Sequence, residues 1–208
     1  DDGPTVAALT SHDATRRIGA LHIDAQVPAD RIVDIGARVP WDIAVTMAAA
    51  EAAGVADWCT TTASEYAARR VQFGRPVGSF QAIKHLCAQM LCLREQSVAL
   101  AWDAARACDG DGDGAEVAAA AAVVFDNAVR TAKDCIQVLG GIGFTWEHDA
   151  HRYLRLATAS RQLFGLVAPF GDGSSWTRIC ADMAARATEP TGPVERAVQA
   201  RTGRALHI

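Results

Sequence analysis

Three long stretches of this chain repeat apolar residues at three- and four-residue steps. They cover residues 41–70, 79–108 and about 113–139. This spacing places apolar side chains on one face of an α-helix, and 30 helical residues span about 45 Å. Helices of this length joined by short connections pack as antiparallel neighbours. The sequence therefore predicts a mainly α protein built as an up-down helical bundle.

Turn and cap residues separate these stretches. Glycine and proline in residues 73–78 end the first helix. Asp113, with Glu116 three residues later, predicts an N-cap and its capping-box partner for the third helix. The pair Gly140 and Gly141 predicts the C-cap of that helix. A fourth helix is expected over about 149–164 and a shorter fifth over about 174–187.

The first 38 residues follow a different pattern. Two short apolar runs, at residues 6–9 and 20–23, are typical of strands. Two strands alone do not make a stable sheet, so we expect them to belong to a larger one. The predicted organisation is a β segment over 1–38, a helical bundle over 39–187 and a polar tail over 188–208.

Charge and composition exclude several classes of protein. With 20 Lys+Arg and 24 Asp+Glu, the net charge of −4 gives no footprint for nucleic acid. No apolar run is long enough for a membrane span, and the first residues do not resemble a signal peptide. The six cysteines form no Cys-x-x-Cys, and all except Cys108 lie in apolar helical patterns. We therefore expect free, buried thiols in a cytoplasmic protein.

Three segments carry a more specific signal. Residues 66–81 contain Arg-x-x-Phe-Gly starting at Arg70, residues 137–145 contain Gln-x-x-Gly-Gly starting at Gln137, and residues 146–149 follow directly. In this order they resemble the C-terminal helical domain of the acyl-CoA dehydrogenases, with a similarity running from about residue 1 to 170. Residues 1–38 then resemble the last strands of the central β domain of that family.

The resemblance implies an FAD enzyme that converts an acyl-CoA thioester to its 2,3-enoyl form. A carboxylate removes the α-proton while hydride passes to flavin N5. In the family, the residues of these motifs contact the adenosine diphosphate half of an FAD held mainly by a neighbouring subunit. The corresponding residues here are Arg70, Phe73, Gln81, Gln137, Gly140 and Gly141. A guanidinium matches a diphosphate in charge and shape, and glycines allow backbone amides to approach phosphate oxygens.

These residues also have purely structural interpretations. Arg70, at the end of a helix, complements the helix dipole whatever it binds, and Gly140-Gly141 is a common C-cap. Two further clusters resemble metal sites only in part. His148 and His151 form a single ligand pair, and the acidic loop at 109–114 lacks the glutamate that a calcium loop needs at its twelfth position. We predict no metal.

The resemblance fails at the catalytic base. The family places its glutamate at one of two positions, which correspond here to Phe164 and Ala44, and neither side chain accepts a proton. Asp42 is two residues from Ala44, about 200° around the helix. A chain with intact flavin motifs but no catalytic base resembles one subunit of the actinobacterial heteromeric acyl-CoA dehydrogenases of sterol degradation, the subunit that lacks the base. The resemblance implies an acyl-CoA dehydrogenase-type partner that carries the glutamate, in an α2β2 assembly acting on acyl-CoA.

Two alternatives remain open at this stage. In the first, the chain is a homomeric acyl-CoA dehydrogenase with an unusual base such as Asp42 instead of a partner subunit. In the second, it is a structural helical module that binds neither FAD nor acyl-CoA. Absorbance by bound flavin separates the module from both flavoprotein interpretations.

Overall fold

A computed structural model describes residues 5–24, 26–33, 35, 38–108 and 114–165. The protein is mainly helical, as predicted, with two small hairpins. In chain order the elements are β1 (Thr5–Leu9), β2 (Ile18–His22), α1 (Arg38–Arg69), β3 (Val71–Gln72), β4 (Arg75–Pro76), α2 (Gln81–Cys108), α3 (Ala115–Leu139) and α4 (Ala150–Phe164). Short 3-10 turns occupy Ala29–Arg31, Val77–Ser79 and Gly140–Phe144. The predicted fifth helix, the polar tail and Cys180 lie outside the described residues.

The core lies where α1, α2 and α3 meet, and α4 packs on α3 and α1. Small side chains dominate it, which lets the long helices approach closely. The largest fully buried apolar side chains are Phe125, Met90, Leu139, Val45 and Val124. None of the described helices is long and apolar enough to cross a membrane.

The helix ends differ from the predicted ends for local reasons. α1 begins three residues early, at Arg38, because its first turn accommodates Pro40. α2 begins at Gln81, since Val77–Ser79 forms a 3-10 turn and Phe80 is extended. The prediction of Asp113 as the N-cap of α3 is wrong: Gly114, in a left-handed conformation with φ 75°, occupies the cap without a side-chain hydrogen bond. Asp113 itself lies outside the described residues.

The two N-terminal strands form an antiparallel hairpin in which Thr5 pairs with His22 and Leu9 with Ile18. Every residue of both strands is exposed, and the structure describes a two-stranded sheet here. Membership of a larger sheet therefore stays a prediction.

The loop between these strands is fastened to the bundle. Arg16 forms an ion pair with Glu51 of α1 and donates a hydrogen bond to Ser160 of α4 at 2.9 Å. From α4, Arg155 donates to the carbonyl of His12. These polar contacts tie the hairpin to the helices that it precedes.

The cysteines divide by helix face. Cys59 and Cys135 are buried and Cys87 is half-buried, whereas Cys92 and Cys108 are exposed. The prediction that Cys92 is buried is therefore wrong. Cys92 lies in an apolar stretch of α2 but on the face of the helix that is exposed to solvent.

Candidate functional site

The second hairpin turns the chain sharply between α1 and α2. Gln72 pairs with Arg75, leaving Phe73 and Gly74 as a two-residue loop with φ of 55° and 75°. Positive φ at both central positions is the type I′ turn that matches strand twist. Phe73 is a bulky residue in this conformation, which is uncommon, and its side chain is 91% exposed. A strained, exposed aromatic residue at a loop tip is typical of a functional position.

Phe80, just before α2, supports this tip. Its ring meets that of Phe73 edge-on with centroids 6.0 Å apart. The guanidinium of Arg75 lies over the same ring, 4.1 Å from its centroid, in cation–π geometry. Phe80 therefore joins both sides of the hairpin to the start of α2.

Two glycines form a wall opposite the hairpin. Gly140 follows α3 with φ 63° and ψ −137°, a region that essentially only glycine adopts. No heavy atom outside the immediate chain neighbours lies within 4 Å of the place where a Cβ would sit at Gly140 or Gly141. Gly143 is different, because a Cβ there would lie 2.8 Å from the carbonyl oxygen of Ile136. The backbone of this turn is thus accessible at Gly140 and Gly141 and tightly packed beneath.

The hairpin and the glycine wall enclose an open groove of about 350 Å³. It brings together four of the six predicted cofactor residues, from segments about 70 positions apart in sequence. Gln81 and Gln137 are exposed beside it, next to lining residues Phe80 and Val138, but do not line it themselves. The lining residues are Tyr66, Arg70, Gln72, Phe73, Val77, Phe80, Ile83, Val138, Leu139, Gly140 and Gly141.

Sequence reasoning missed the apolar part of this lining. Tyr66, Val77 and Ile83 supply part of it, and all three are half-buried. Val77 lies within residues 66–81, which carry the Arg-x-x-Phe-Gly motif. Its position in that segment was the one sequence signal that it lines the groove. Arg70 supplies a guanidinium at one side of these residues. This combination suits a ligand with an anionic part and a flat ring.

Both predicted positions of the base lie at the other end of α1. Ala44 is in the second turn of α1 and Phe164 is the last residue of α4. The Phe164 ring lies 6.2 Å from the ring of Trp41 and 6.2 Å from that of Phe125. Aromatic packing therefore occupies the end of α4. From Trp41 to Arg70 the helical rise is about 44 Å, which separates this end from the groove.

The histidine cluster before α4 has local structural partners. The Ala150 amide donates to His148 Nδ1 at 3.1 Å, and His151 Nδ1 lies 2.7 Å from the His148 carbonyl. A hydrogen bond from Thr145 lowers the pKa of Glu147. These contacts organise the first turn of α4. Among the described residues, no three metal-ligating side chains converge on one point.

Comparison with known proteins decides the family. The model of the acyl-CoA dehydrogenase C-terminal domain matches residues 44–166, more than half of the chain. The chain belongs to the acyl-CoA dehydrogenase family. The resemblance predicted from the sequence motifs is thus confirmed.

Relatives in this family extend well beyond the present chain. Acyl-CoA dehydrogenase FadE34 of Mycobacterium tuberculosis is 56% identical over 147 residues, covering 69% of this chain and 20% of its own length. Acyl-CoA dehydrogenase IpdE2 of the same organism is 40% identical over 156 residues, covering 74% and 46%. The chain therefore spans between a fifth and a half of these relatives.

Solved acyl-CoA dehydrogenase structures confirm the fold. A glutaryl-coenzyme A dehydrogenase in complex with glutaryl-CoA superposes with a TM-score of 0.76 at 27% identity, over 88% of this chain and 48% of its own. A variant of the Tcur3481-Tcur3483 steroid ACAD superposes with a TM-score of 0.71 at 26% identity, over 90% and 50%. The predicted helical domain is the one that these structures share.

Acyl-CoA dehydrogenases are FAD-dependent flavoproteins, and the groove of this acyl-CoA dehydrogenase domain has the chemistry to hold part of FAD. Arg70 offers paired N–H donors for a diphosphate. Gly140 and Gly141 leave open space where side chains would otherwise obstruct a phosphate. Phe73 presents an exposed ring for an aromatic base. The residues present therefore fit the adenosine diphosphate end of the cofactor.

Proposed function

We propose that this chain is one part of an FAD-dependent acyl-CoA dehydrogenase and binds the adenosine diphosphate end of the flavin. The observation that carries the proposal is the groove itself. It joins Arg70 and Phe73 of one family motif to Gly140 and Gly141 of another, although the two motifs are distant in sequence. Gln81 and Gln137, exposed at its edge, extend the same contact surface.

Each residue has a distinct part in this proposal. Arg70 binds the diphosphate oxygens through its guanidinium, and the backbone at Gly140 and Gly141 approaches them closely. The ring of Phe73 covers the adenine. When bound, FAD supplies the hydride acceptor for 2,3-desaturation of the thioester.

The catalytic base belongs to another chain in our proposal. Ala44 and Phe164 cannot accept the α-proton, and Phe164 is packed against Trp41 and Phe125. The groove is also about 44 Å from these positions along α1. The two ends of this chain therefore serve different flavin sites, and the groove contacts a cofactor seated mainly on a neighbour.

We assign that neighbour to an acyl-CoA dehydrogenase-type subunit that carries the glutamate, in an α2β2 assembly in the cytoplasm. The steroid ACAD among the structural relatives bears the names of two chains, which supports an unlike pair. The same relative supports a sterol-derived acyl-CoA as the substrate.

Flavin stoichiometry tests the proposal. The chain is expressed alone and together with a glutamate-bearing acyl-CoA dehydrogenase chain from the same organism, and the visible flavin absorbance is measured per mole of protein. We expect little flavin on the single chain. It supplies contacts to one end of FAD only, while binding still costs the entropy of ordering the cofactor. Stoichiometric flavin should appear with the partner. Flavin absent from the assembled complex, or stoichiometric on the single chain, contradicts the proposal.

A further inference from the structure

The hairpin of β3 and β4 has few contacts of its own to hold its shape. It consists of two residue pairs, Val71 with Pro76 and Gln72 with Arg75. Pro76 has no N–H to donate, and an isolated two-stranded hairpin is marginally stable at best. The turn also contains Phe73 at φ 55°, a conformation that is strained for a bulky residue. Contacts outside the two strands must therefore stabilise this turn.

Phe80 is a fixed point beside the turn. Its amide donates to the Val77 carbonyl at 3.1 Å, and its carbonyl accepts from the Lys84 amide of α2, also at 3.1 Å. Two residues before it, Gly78 packs so closely on the end of α1 that a Cβ there would lie 2.9 Å from the carbonyl oxygen of Ala67. The backbone around Phe80 is therefore held by both helices and not by the strands.

The ring of Phe80 connects this fixed backbone to the turn through two side chains. The Arg75 guanidinium lies 4.1 Å from the ring centroid, and the Phe73 ring meets it edge-on with centroids 6.0 Å apart. A cation over a ring face and an edge-on aromatic pair are both attractive. Because Phe73 and Arg75 stand on either side of Gly74, the two contacts hold both sides of the turn and offset its strain.

The same hairpin holds the backbone of Arg70. The Val77 amide donates to the Arg70 carbonyl at 2.7 Å, which closes the hairpin at its base. The Arg70 amide donates to the carbonyl of Tyr66, in the last turn of α1, at 2.8 Å. Opening of the turn would therefore release the Arg70 backbone together with the Phe73 ring. These two residues are the charged part and the exposed aromatic part of the groove.

We propose that Arg75 is a positioning residue that acts through the ring of Phe80 to hold Phe73 and Arg70 ready for FAD. The inference rests on the proposed function, in which Phe73 covers the adenine and Arg70 binds the diphosphate. Phe80 lines the groove and Arg75 does not, so Arg75 acts on the shape of the turn and not on the cofactor. Affinity falls in proportion to the fraction of molecules that lack the competent shape.

A double-mutant cycle separates positioning from direct contact with the cofactor. The variants are Arg75→Gln, Phe80→Leu and both together, each in the complex with the glutamate-bearing chain after its flavin has been removed. Quenching of flavin fluorescence gives the dissociation constant of FAD. Each single change should weaken binding about 2- to 10-fold, as expected for loss of a cation–π or aromatic contact. The double variant should bind as weakly as Phe80→Leu and no more weakly, because Arg75 acts only through that ring.

Two further variants test the charge itself. Arg75→Lys keeps a cation over the ring and should recover part of the loss. Arg106→Gln removes the same charge near the other end of α2, where Arg106 pairs with Asp103, and should leave FAD binding unchanged. Arg75 is exposed, so Arg75→Gln should fold even if Phe80→Leu does not.

The shape of the turn is measured without flavin, by NMR of the isotope-labelled full chain. The nuclear Overhauser effect between the amide and Hα protons of Phe73 is strong at positive φ and weak in extended backbone. It should weaken in Arg75→Gln and stay strong in Arg106→Gln. Additive losses in the double variant, full FAD binding by Arg75→Gln, or an Overhauser effect that Arg75→Gln leaves unchanged each overturn the positioning role alone. A wild-type complex that does not bind FAD overturns the proposed function as well.

Discussion

The thiol of Cys59 in α1 interacts with the thiol of Cys135 in α3, and both residues are 0% exposed. The contact joins the buried faces of two helices of the bundle. The neighbouring Cys135 thiol and the burial both raise the pKa of the Cys59 thiol well above its ordinary value. The folded protein therefore keeps the thiol proton at pH values where an exposed cysteine loses it.

This shift predicts a loss of stability at alkaline pH. An unfolded cysteine has a pKa of about 8.5. Below that pH both states hold the proton, and stability is independent of this group. Above it the unfolded chain releases the proton while the folded chain retains it, so the free energy of unfolding falls by up to about 1.4 kcal/mol per pH unit. Urea denaturation at pH 8, 9 and 10 measures the slope. The same contact lowers the pKa of Cys135, which burial alone would raise, so the comparison must remove both thiols. The decline should be shallower in the double variant Cys59→Ala/Cys135→Ala, and equal slopes in the two proteins would contradict it.

Arg70→Ala should weaken flavin retention in the assembled enzyme by about 1.5–3 kcal/mol, the range for a hydrogen bond to a charged group. Arg70→Lys should recover part of the loss, because an ammonium keeps the charge but lacks the fork geometry. Flavin retained after gel filtration provides the measurement. Arg69→Ala is the matched control, since Arg69 lies outside the groove and pairs with Glu65. Equal losses of flavin in Arg69→Ala and Arg70→Ala would indicate that Arg70 only complements the helix dipole and does not bind the diphosphate.

Alanine at Gly140 and at Gly141 should have different effects on the same groove. Gly140→Ala places a Cβ on a backbone with φ 63° and should lower the free energy of unfolding by about 1–3 kcal/mol. Gly141→Ala adds a Cβ in open space and should change it by less than about 0.5 kcal/mol. Flavin retention should fall in both. Unfolding in urea and flavin content together check the pair, and full flavin content in Gly141→Ala would place the phosphate elsewhere.

Asp42→Asn should leave acyl-CoA-dependent bleaching of the flavin nearly intact in the assembled enzyme. Removal of the glutamate from the partner subunit should abolish it, because a positioned general base contributes about 10²–10⁴-fold. Both proteins are compared at equal flavin content. Loss of bleaching in Asp42→Asn would make Asp42 the base and this chain the catalytic one.

The helical architecture was predictable because its signal is long and repeated. Four described helices follow the three- and four-residue apolar steps, and Gly140 ends α3 as expected. The errors in predicted helix ends occur where one or two residues determine where the helix begins. At the start of α3, Gly114 rather than Asp113 caps the helix. The spacing of apolar residues does not indicate which residue is the cap.

The groove was predictable only through its motif residues. Arg70 and Gly140 both belong to motifs of the family, whereas their proximity depends on how α1 and α3 pack. Val77 and Ile83 carry no polar signal, so their place in the lining appears only in three dimensions. The sequence also did not predict which side of α1 faces solvent. Apolar periodicity does not distinguish the buried stripe that contains Val45 from the exposed stripe that contains Met47.

Gly140 has a consequence for how such a chain tolerates change. Part of the groove wall is backbone with a positive φ at Gly140, so every other residue placed there adds backbone strain as well as a side chain. The rim formed by Arg70 and Phe73 is different, since side chains vary in length, charge and ring size by small steps. Divergence among chains of this type should therefore accumulate at the rim, adjusting the strength of cofactor binding while the glycine wall keeps its shape.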